Sequence, residues 1–222
     1  MLMIYTFVFG VVFKSRWGNG GESKFQFALI LFSGLMVFNL FSECVAKSPR
    51  LIVDNANFVK KVIFPLEVLS VVSLLSACFH FMISFLIWLL AYLIMFGMPS
   101  STFLLAPMVI APLLFITLGT SWVLSSLGVY FRDLQQVIGP AIAALMFLSP
   151  IFYSTASIPK GYQVLMILNP LSEVIEGFRG VIYFGKIPNL SYMLLYYSMS
   201  VLVAFLGFWF FQRTRKGFAD VL

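Results

Sequence analysis

Charged side chains are scarce in this sequence, and acidic ones are the scarcest. Only 10% of the 222 residues are charged, with 8 Asp and Glu against 14 Lys and Arg, while 61% are hydrophobic. A soluble domain carries about 25% charged residues. The shortage therefore excludes a soluble domain and indicates an integral membrane protein. The net charge of +6 does not call for nucleic acid, because basic residues that flank membrane helices bind anionic lipid.

Residues with catalytic or metal-binding chemistry are also few. The chain has one histidine, His80, and two cysteines, Cys44 and Cys78, which lie in or beside apolar runs. The sequence has no Ser/His/Asp arrangement, HExxH motif, metal-spaced Cys/His cluster or GxxxxGK[ST] phosphate loop. Every carboxylate falls at a helix end or in a loop, which disfavours ion-coupled transport. We predict a chain that is no enzyme and binds no cofactor, with His80 as a packed, hydrogen-bonded residue and not a proton relay.

Long apolar runs predict an all-α integral membrane protein with six transmembrane helices. The predicted spans are residues 1–13, 25–42, 66–96, 102–130, 137–153 and 190–212. The first rises only about 20 Å against a hydrocarbon core of about 30 Å, so we expect its beginning to lie upstream. Glycines and serines in the second half of the fourth span predict close helix packing. Eight Lys and Arg against six favour cytoplasmic ends, with residues 43–64 inside and residues 154–185 outside.

The polar stretch 43–64 separates the second and third spans. A short helix capped by Asp54 or Asn55 would run through Val62 along the membrane surface. Two interpretations stay open, a basic anchor on anionic lipid or a contact surface for a soluble partner. The residues of interest are Asp54, Asn55, Asn57, Phe58, Lys60 and Lys61.

Three prolines break the stretch 149–185 into pieces too short to span a bilayer. After Asn169 and Pro170, apolar residues recur at helical spacing and predict a short amphipathic helix. The apolar face would carry Leu171, Val174, Ile175, Phe178 and Ile182, and the opposite face Glu173, Glu176, Gly177 and Gly180. Broken backbone at a membrane needs protein or water to satisfy its polar groups, so we expect this segment at a pore exit.

Several sequence blocks resemble the permease subunits of ABC-2 type exporters, and most nearly those that export lipid-linked O-antigen, capsule or teichoic acid. They are NLFSECV (39–45), DNANFVKKVIFPLEVL (54–69), VYFRDLQQV (129–137), SPIFY (149–153), NPLSEVIEGFRGVIYFG (169–185) and FADVL (218–222). The likeness covers nearly the whole chain in order. Relatives carry an amphipathic helix and a complete first span before the position of Met1.

The resemblance implies one ABC-2 type transmembrane domain over residues 1–222, acting as a homodimer in a bacterial inner membrane. Two ATPase subunits would bind ATP and Mg, and the substrate would be a lipid-linked glycan. The domain would contain a coupling loop at 43–64, an external gate with short re-entrant helices at 154–185, and a cytoplasmic tail at 213–222. The coupling helix itself would map onto Asp54 to Lys61.

The resemblance also assigns candidate roles to residues outside the loop. Gate residues would be Pro170, Glu173, Glu176 and Arg179, with Glu176 and Arg179 one helical turn apart and suited to pairing. Aromatic residues that would line a channel and stack on sugar faces are Tyr5, Phe147, Phe152 and Tyr153; core packing is the other interpretation of each.

Two other functions fit the same sequence. An exporter of small amphiphiles such as drugs would need a compact apolar pocket in place of a wide aromatic path. A scaffold subunit that transports nothing would not purify together with an ATPase.

Overall fold

The computed structural model describes residues 24–60, 64–153, 155, 161 and 169–222, and the predicted first span lies outside them. Within the described residues every regular element is helical, as predicted. The α-helices are α1 (Lys24–Lys47), α2 (Ala56–Lys60), α3 (Glu67–Phe96), α4 (Ala106–Tyr130), α5 (Leu134–Leu148), α6 (Pro170–Ile182), α7 (Leu190–Thr214) and α8 (Phe218–Val221). Single 3-10 turns cover Ser48–Arg50, Ser101–Leu105 and Arg215–Gly217.

Four helical stretches are long and apolar enough to cross a membrane. They are Phe25–Arg50, Glu67–Phe96, Ser101–Tyr130 and Leu190–Val221, which correspond to the predicted second, third, fourth and sixth spans. Helix α5 is apolar but has only 15 residues. At 1.5 Å per residue it rises about 22 Å, less than the hydrocarbon thickness of about 30 Å.

Two predicted boundaries were wrong. Helix α1 continues to Lys47, past the predicted end of the span at residue 42, and Lys47 forms a 2.7 Å ion pair with Glu43 in the last turn. An i,i+4 pair with the cation at the helix C-terminus supports this turn. Helix α5 ends at Leu148 and not at residue 153, because Pro150 disfavours helical geometry at Ser149.

The described helices contribute to two compact units. Unit I comprises residues 1–38, 81–110 and 144–188, and unit II comprises residues 39–80, 111–143 and 189–222. Unit I therefore contains α6, and unit II contains α2 and α8. The two predicted functional segments fall in different units.

Unit II is held together by an apolar cluster that we call the loop core. Its buried members are Ile52, Leu66, Trp122, Val129, Phe211 and Phe218. The indole Nε1 of Trp122 also donates to the carbonyl oxygen of Glu67 at 3.1 Å. Helices α4 and α7 touch at glycines: a Cβ on Gly207 would lie 2.3 Å from the carbonyl oxygen of Gly119. This contact confirms the close packing predicted for the fourth span.

Unit I packs α6 against α3 through aromatic rings. The Phe178 ring lies 5.8 Å from the Phe81 ring and 5.9 Å from the Phe85 ring, measured between centroids. The Thr102 hydroxyl donates to the carbonyl oxygen of Val181 at 2.8 Å. These contacts hold α6 against α3 and the turn before α4, so its position is set by packing as well as by the chain ends.

Candidate functional site

The residue that caps the start of helix α6 also forms hydrogen bonds to the end of α5. Asn169 is the N-cap of α6, and its Oδ1 accepts from the backbone N–H of Leu171 at 2.9 Å, with Pro170 as the first helical residue. Its Nδ2 donates to the carbonyl oxygen of Leu148 at 3.2 Å and to the Ser149 hydroxyl at 2.9 Å. One amide thus joins the end of α5 to the start of α6. Asn169 was not among the predicted site residues, although the Asn-Pro pair before an amphipathic run is a helix-start signal.

The predicted amphipathic face of α6 is confirmed. All five predicted apolar residues are buried, while Glu173 is exposed and Glu176, Gly177 and Gly180 are half-buried. The apolar face packs within unit I. The opposite face, which we call the open face, is more accessible but has neighbours of its own, since a Cβ on Gly177 would lie 3.2 Å from Cγ1 of Val109.

Arg179 is the exception on this helix, because its side chain is only 1% exposed. Nε donates to the carbonyl oxygen of Ile30 at 3.0 Å, and Nη2 donates to that of Ile151 at 2.8 Å. Nη1 donates to the carbonyl oxygen of Pro150, and the Ser33 hydroxyl lies 3.4 Å from Nε. A single guanidinium therefore ties α1, α6 and the turn after α5 together. The fork geometry of arginine suits this task, since it offers five donors in one plane.

Space for this guanidinium depends on a glycine in α1. A Cβ on Gly34 would lie 2.2 Å from Nη2 of Arg179. That distance is far inside van der Waals contact, so any larger residue at position 34 displaces the guanidinium from its carbonyl partners. The position of the Arg179 side chain therefore requires glycine at position 34. Gly34 was not among the predicted site residues, because the pattern along α1 does not indicate a partner on α6.

The charge of Arg179 is retained at neutral pH. Burial lowers the pKa of Arg179 from 12.5 to about 9, and the nearby charge of Glu176 opposes that shift. Since a pKa of about 9 remains above neutral pH, the side chain stays protonated and acts as a donor only. Its hydrogen-bond partners include three backbone carbonyl oxygens and the Ser33 hydroxyl, which accept hydrogen bonds and carry no charge.

We expected Glu176 to pair with Arg179, and the structure shows a different partner for Glu176. Glu176 Oε1 instead accepts from the Thr155 hydroxyl at 2.8 Å and from the Thr155 backbone N–H at 3.3 Å. Burial of Arg179 directs its guanidinium inward, away from the open face of α6. Glu176 thus connects α6 to the segment that follows α5.

The predicted channel residues differ in their access to the surroundings. The Phe147 side chain is 57% exposed, whereas Phe152 is buried at 2%. Their rings lie 5.9 Å apart, and the Tyr153 hydroxyl donates to the Phe147 carbonyl oxygen at 2.9 Å. Tyr5 lies outside the described residues. In this arrangement Phe147 and Tyr153 can offer an aromatic face, and Phe152 supports them from within.

The predicted loop helix is present in unit II as α2, at Ala56–Lys60. The turn before it is stabilised by the Asn55 amide, which donates to the carbonyl oxygen of Leu51 at 2.8 Å, and by Asp54 N–H donating to Arg50 O at 2.8 Å. Asn57 is exposed, and the Phe58 ring is partly exposed and stacks on Phe64 with centroids 4.8 Å apart.

Not every predicted loop residue can be placed. Lys61 lies outside the described residues, as does the predicted helix end at Val62. Ile52 is fully buried in the loop core, and Val59 packs against it. Helix α2 therefore presents Asn57 and part of Phe58 outward while its other side rests on the core.

A contact between His80 and Glu43 in unit II was not predicted. His80 Nδ1 lies 2.9 Å from both carboxylate oxygens of Glu43, which also accepts from Lys47. His80 is hydrogen-bonded, as expected, but it is exposed and not packed. Glu43 reaches it from another helix, so helical spacing around His80 gives no sign of the pair.

Comparison with known proteins gives a consistent picture. A family model described as ABC-2 type transporter matches residues 1–183. An "O-antigen export system permease protein RfbA" from Klebsiella pneumoniae is 27% identical over 222 residues, covering 99% of this chain and 82% of that protein. A protein of the same description from Myxococcus xanthus is 24% identical over 221 residues, with the same two coverages. A "Polysialic acid transport protein KpsM" from Escherichia coli is 27% identical over 193 residues, covering 86% of this chain and 74% of that protein.

Proposed function

This chain belongs to the ABC-2 type transporter family, and on that premise we propose that it is the membrane subunit of an ATP-driven exporter of a lipid-linked polysaccharide. The observation that carries the proposal is the match over 99% of the chain to a protein described as an O-antigen export permease. The sequence has no phosphate loop, so ATP and Mg would bind a separate ATPase subunit.

The proposed assembly is a homodimer of this chain with two ATPase subunits in a bacterial inner membrane. Each subunit would have six spans, with both ends in the cytoplasm. Five apolar helices of the described residues support this topology, and the sixth span would come from the N-terminal residues. Helix α5 is short, and it would span the bilayer together with the broken segment that follows it.

Helix α2 is the proposed contact with the ATPase. Asn57 and part of Phe58 face outward, and the buried side of the loop packs in the loop core, which also contains Trp122 of α4 and Phe211 of α7. A push on α2 would reach two long helices through rigid packing, since close-packed interiors transmit displacement. Asp54, Asn55, Lys60 and Lys61 would complete this contact.

Helix α6 is the proposed gate on the outer side. Pro170, Glu173 and Glu176 lie at its start or on its open face, while Arg179 holds the helix from within. Phe147 and Tyr153, close to the turn after α5, would line the path with Tyr5. Aromatic rings stack on sugar faces without selecting a single sugar, which suits a polymer of repeating units.

The proposal is tested by removing the gene from the organism that carries it. We expect the lipid-linked glycan to accumulate on the cytoplasmic face of the inner membrane, and export to return when the chain is supplied from a plasmid. The glycan is measured by surface labelling of intact and lysed cells. Normal surface glycan in the deletion strain, with new sensitivity to amphiphilic drugs, would contradict the proposal and favour a small-amphiphile exporter.

A further inference from the structure

The last nine residues of the chain fold back onto the loop that carries α2. We call residues 214–222 the C-terminal brace. They comprise the end of α7, the 3-10 turn Arg215–Gly217 and helix α8 (Phe218–Val221). Helix α8 lies in contact with α2. The sequence alone indicated only a basic cytoplasmic tail here, so this contact needs its own explanation.

The brace is attached by polar contacts at its start. Arg215 Nη1 forms a 3.0 Å ion pair with Glu67 Oε2, and Nη2 donates to the carbonyl oxygen of Phe64 at 3.3 Å. The Tyr130 hydroxyl donates to the carbonyl oxygen of Thr214 at 2.9 Å. Arg215 thus contacts the beginning of α3 and the end of the α2 loop with one side chain.

The brace is attached by an aromatic contact at its end. Phe218 is fully buried in the loop core, with its ring 5.6 Å from the Phe211 ring and 6.0 Å from the Tyr130 ring. The turn before it approaches Tyr130 closely, since a Cβ on Gly217 would lie 2.6 Å from the Tyr130 hydroxyl oxygen. Together these contacts hold α8 against the loop core.

We propose that the C-terminal brace fixes the position of α2, with Phe218 as the positioning residue, so that movement of α2 is passed to α4 and α7. Within the described residues helix α2 runs over Ala56–Lys60, a length too short to be stable alone. It takes its position from the loop core, against which Val59 packs, and from α8, which contacts it. Without the brace, a push by the ATPase would deform the loop and leave the long helices in place.

The transmission step rests on the proposed function, whereas the positioning of α2 is a property of this chain alone. The two parts can therefore be measured separately. A purely local packing role for Phe218 would change the loop's stability without changing transport per ATP.

The first test measures amide hydrogen exchange of the purified full chain in lipid nanodiscs. Phe218→Ala is expected to accelerate exchange of residues 51–60 by about tenfold, because local opening becomes easier when a buried contact is lost. Asp220→Asn is the matched control on the exposed side of α8 and should leave exchange unchanged. Phe218→Leu keeps most of the apolar volume and should restore slow exchange. Unchanged exchange in Phe218→Ala would overturn the proposal.

The second test uses the chain assembled with its ATPase in proteoliposomes. Phe218→Ala is expected to retain ATP hydrolysis and to lose about tenfold in glycan exported per ATP, and Arg215→Gln should act in the same direction if the alanine variant folds poorly. Faster exchange with normal export per ATP in both variants would overturn the transmission role. Failure of the proposed function is distinct, because the wild-type assembly would then move no glycan.

Discussion

Replacing Arg179 with glutamine is expected to lower the free energy of unfolding by about 3–5 kcal/mol and to abolish export. The guanidinium is buried and donates to the backbone carbonyl oxygens of Ile30, Pro150 and Ile151. Glutamine is shorter and has two donors in place of five, so buried acceptors lose their partners. The change is measured as the thermal midpoint of the purified chain in detergent.

Two further substitutions separate the geometry of the guanidinium from its charge. Arg179→Lys keeps the charge but not the fork, and we expect an intermediate loss of stability. Gly34→Ala leaves Arg179 unchanged, but the added methyl group would clash with Nη2 of Arg179. We therefore expect this substitution to lower stability too. Glu173→Gln, on the exposed face of the same helix, is the control and should stay within about 0.5 kcal/mol of the wild type. Equal stability of Arg179→Gln and this control would contradict the anchoring role.

Replacing Asn57 with alanine is expected to reduce export at least about tenfold while leaving the fold intact. Asn57 is exposed on α2, so its loss removes a surface contact and no core packing. In the proposed assembly this surface meets the ATPase, and a weakened contact uncouples ATP hydrolysis from movement of the helices. Export and ATP hydrolysis are measured together, with Phe58→Ala as a second variant on the same surface.

The matched control for Asn57→Ala is Gln135→Ala. Gln135 is also an exposed amide, and it lies in the first turn of α5. We expect it to leave export per ATP unchanged. Normal export in both Asn57→Ala and Phe58→Ala would show that α2 is not the coupling contact, and the basic-anchor interpretation of the loop would replace it.

Patterns within single elements were predictable from the sequence. The amphipathic face of α6 follows from the spacing of Val174, Ile175 and Phe178, and close packing at α4 follows from its small residues such as Gly119, although the partner α7 was not predicted. Each of these signals is local, because the residues concerned share one helix. The all-helical architecture follows for the same reason.

Contacts between distant segments could not be predicted. From the sequence Arg179 on α6 has the features of a surface cation, whereas in the structure Gly34 on α1 leaves space for its buried side chain. His80 has no acidic neighbour along its own helix, and Glu43 reaches it from α1. From the sequence Phe218 is part of a basic tail, whereas in the structure it is buried in the loop core. Such pairings depend on tertiary packing, which periodicity along one helix does not contain.

The central claim is that this chain moves a lipid-linked polysaccharide when an ATPase drives it. The most direct measurement reconstitutes the purified chain with its ATPase in liposomes that contain the fluorescently labelled lipid-linked glycan. We expect transfer of the glycan across the bilayer that requires ATP, the ATPase and the chain together. Transfer that proceeds without the chain, or a complete assembly that hydrolyses ATP and leaves the glycan in place, would contradict it.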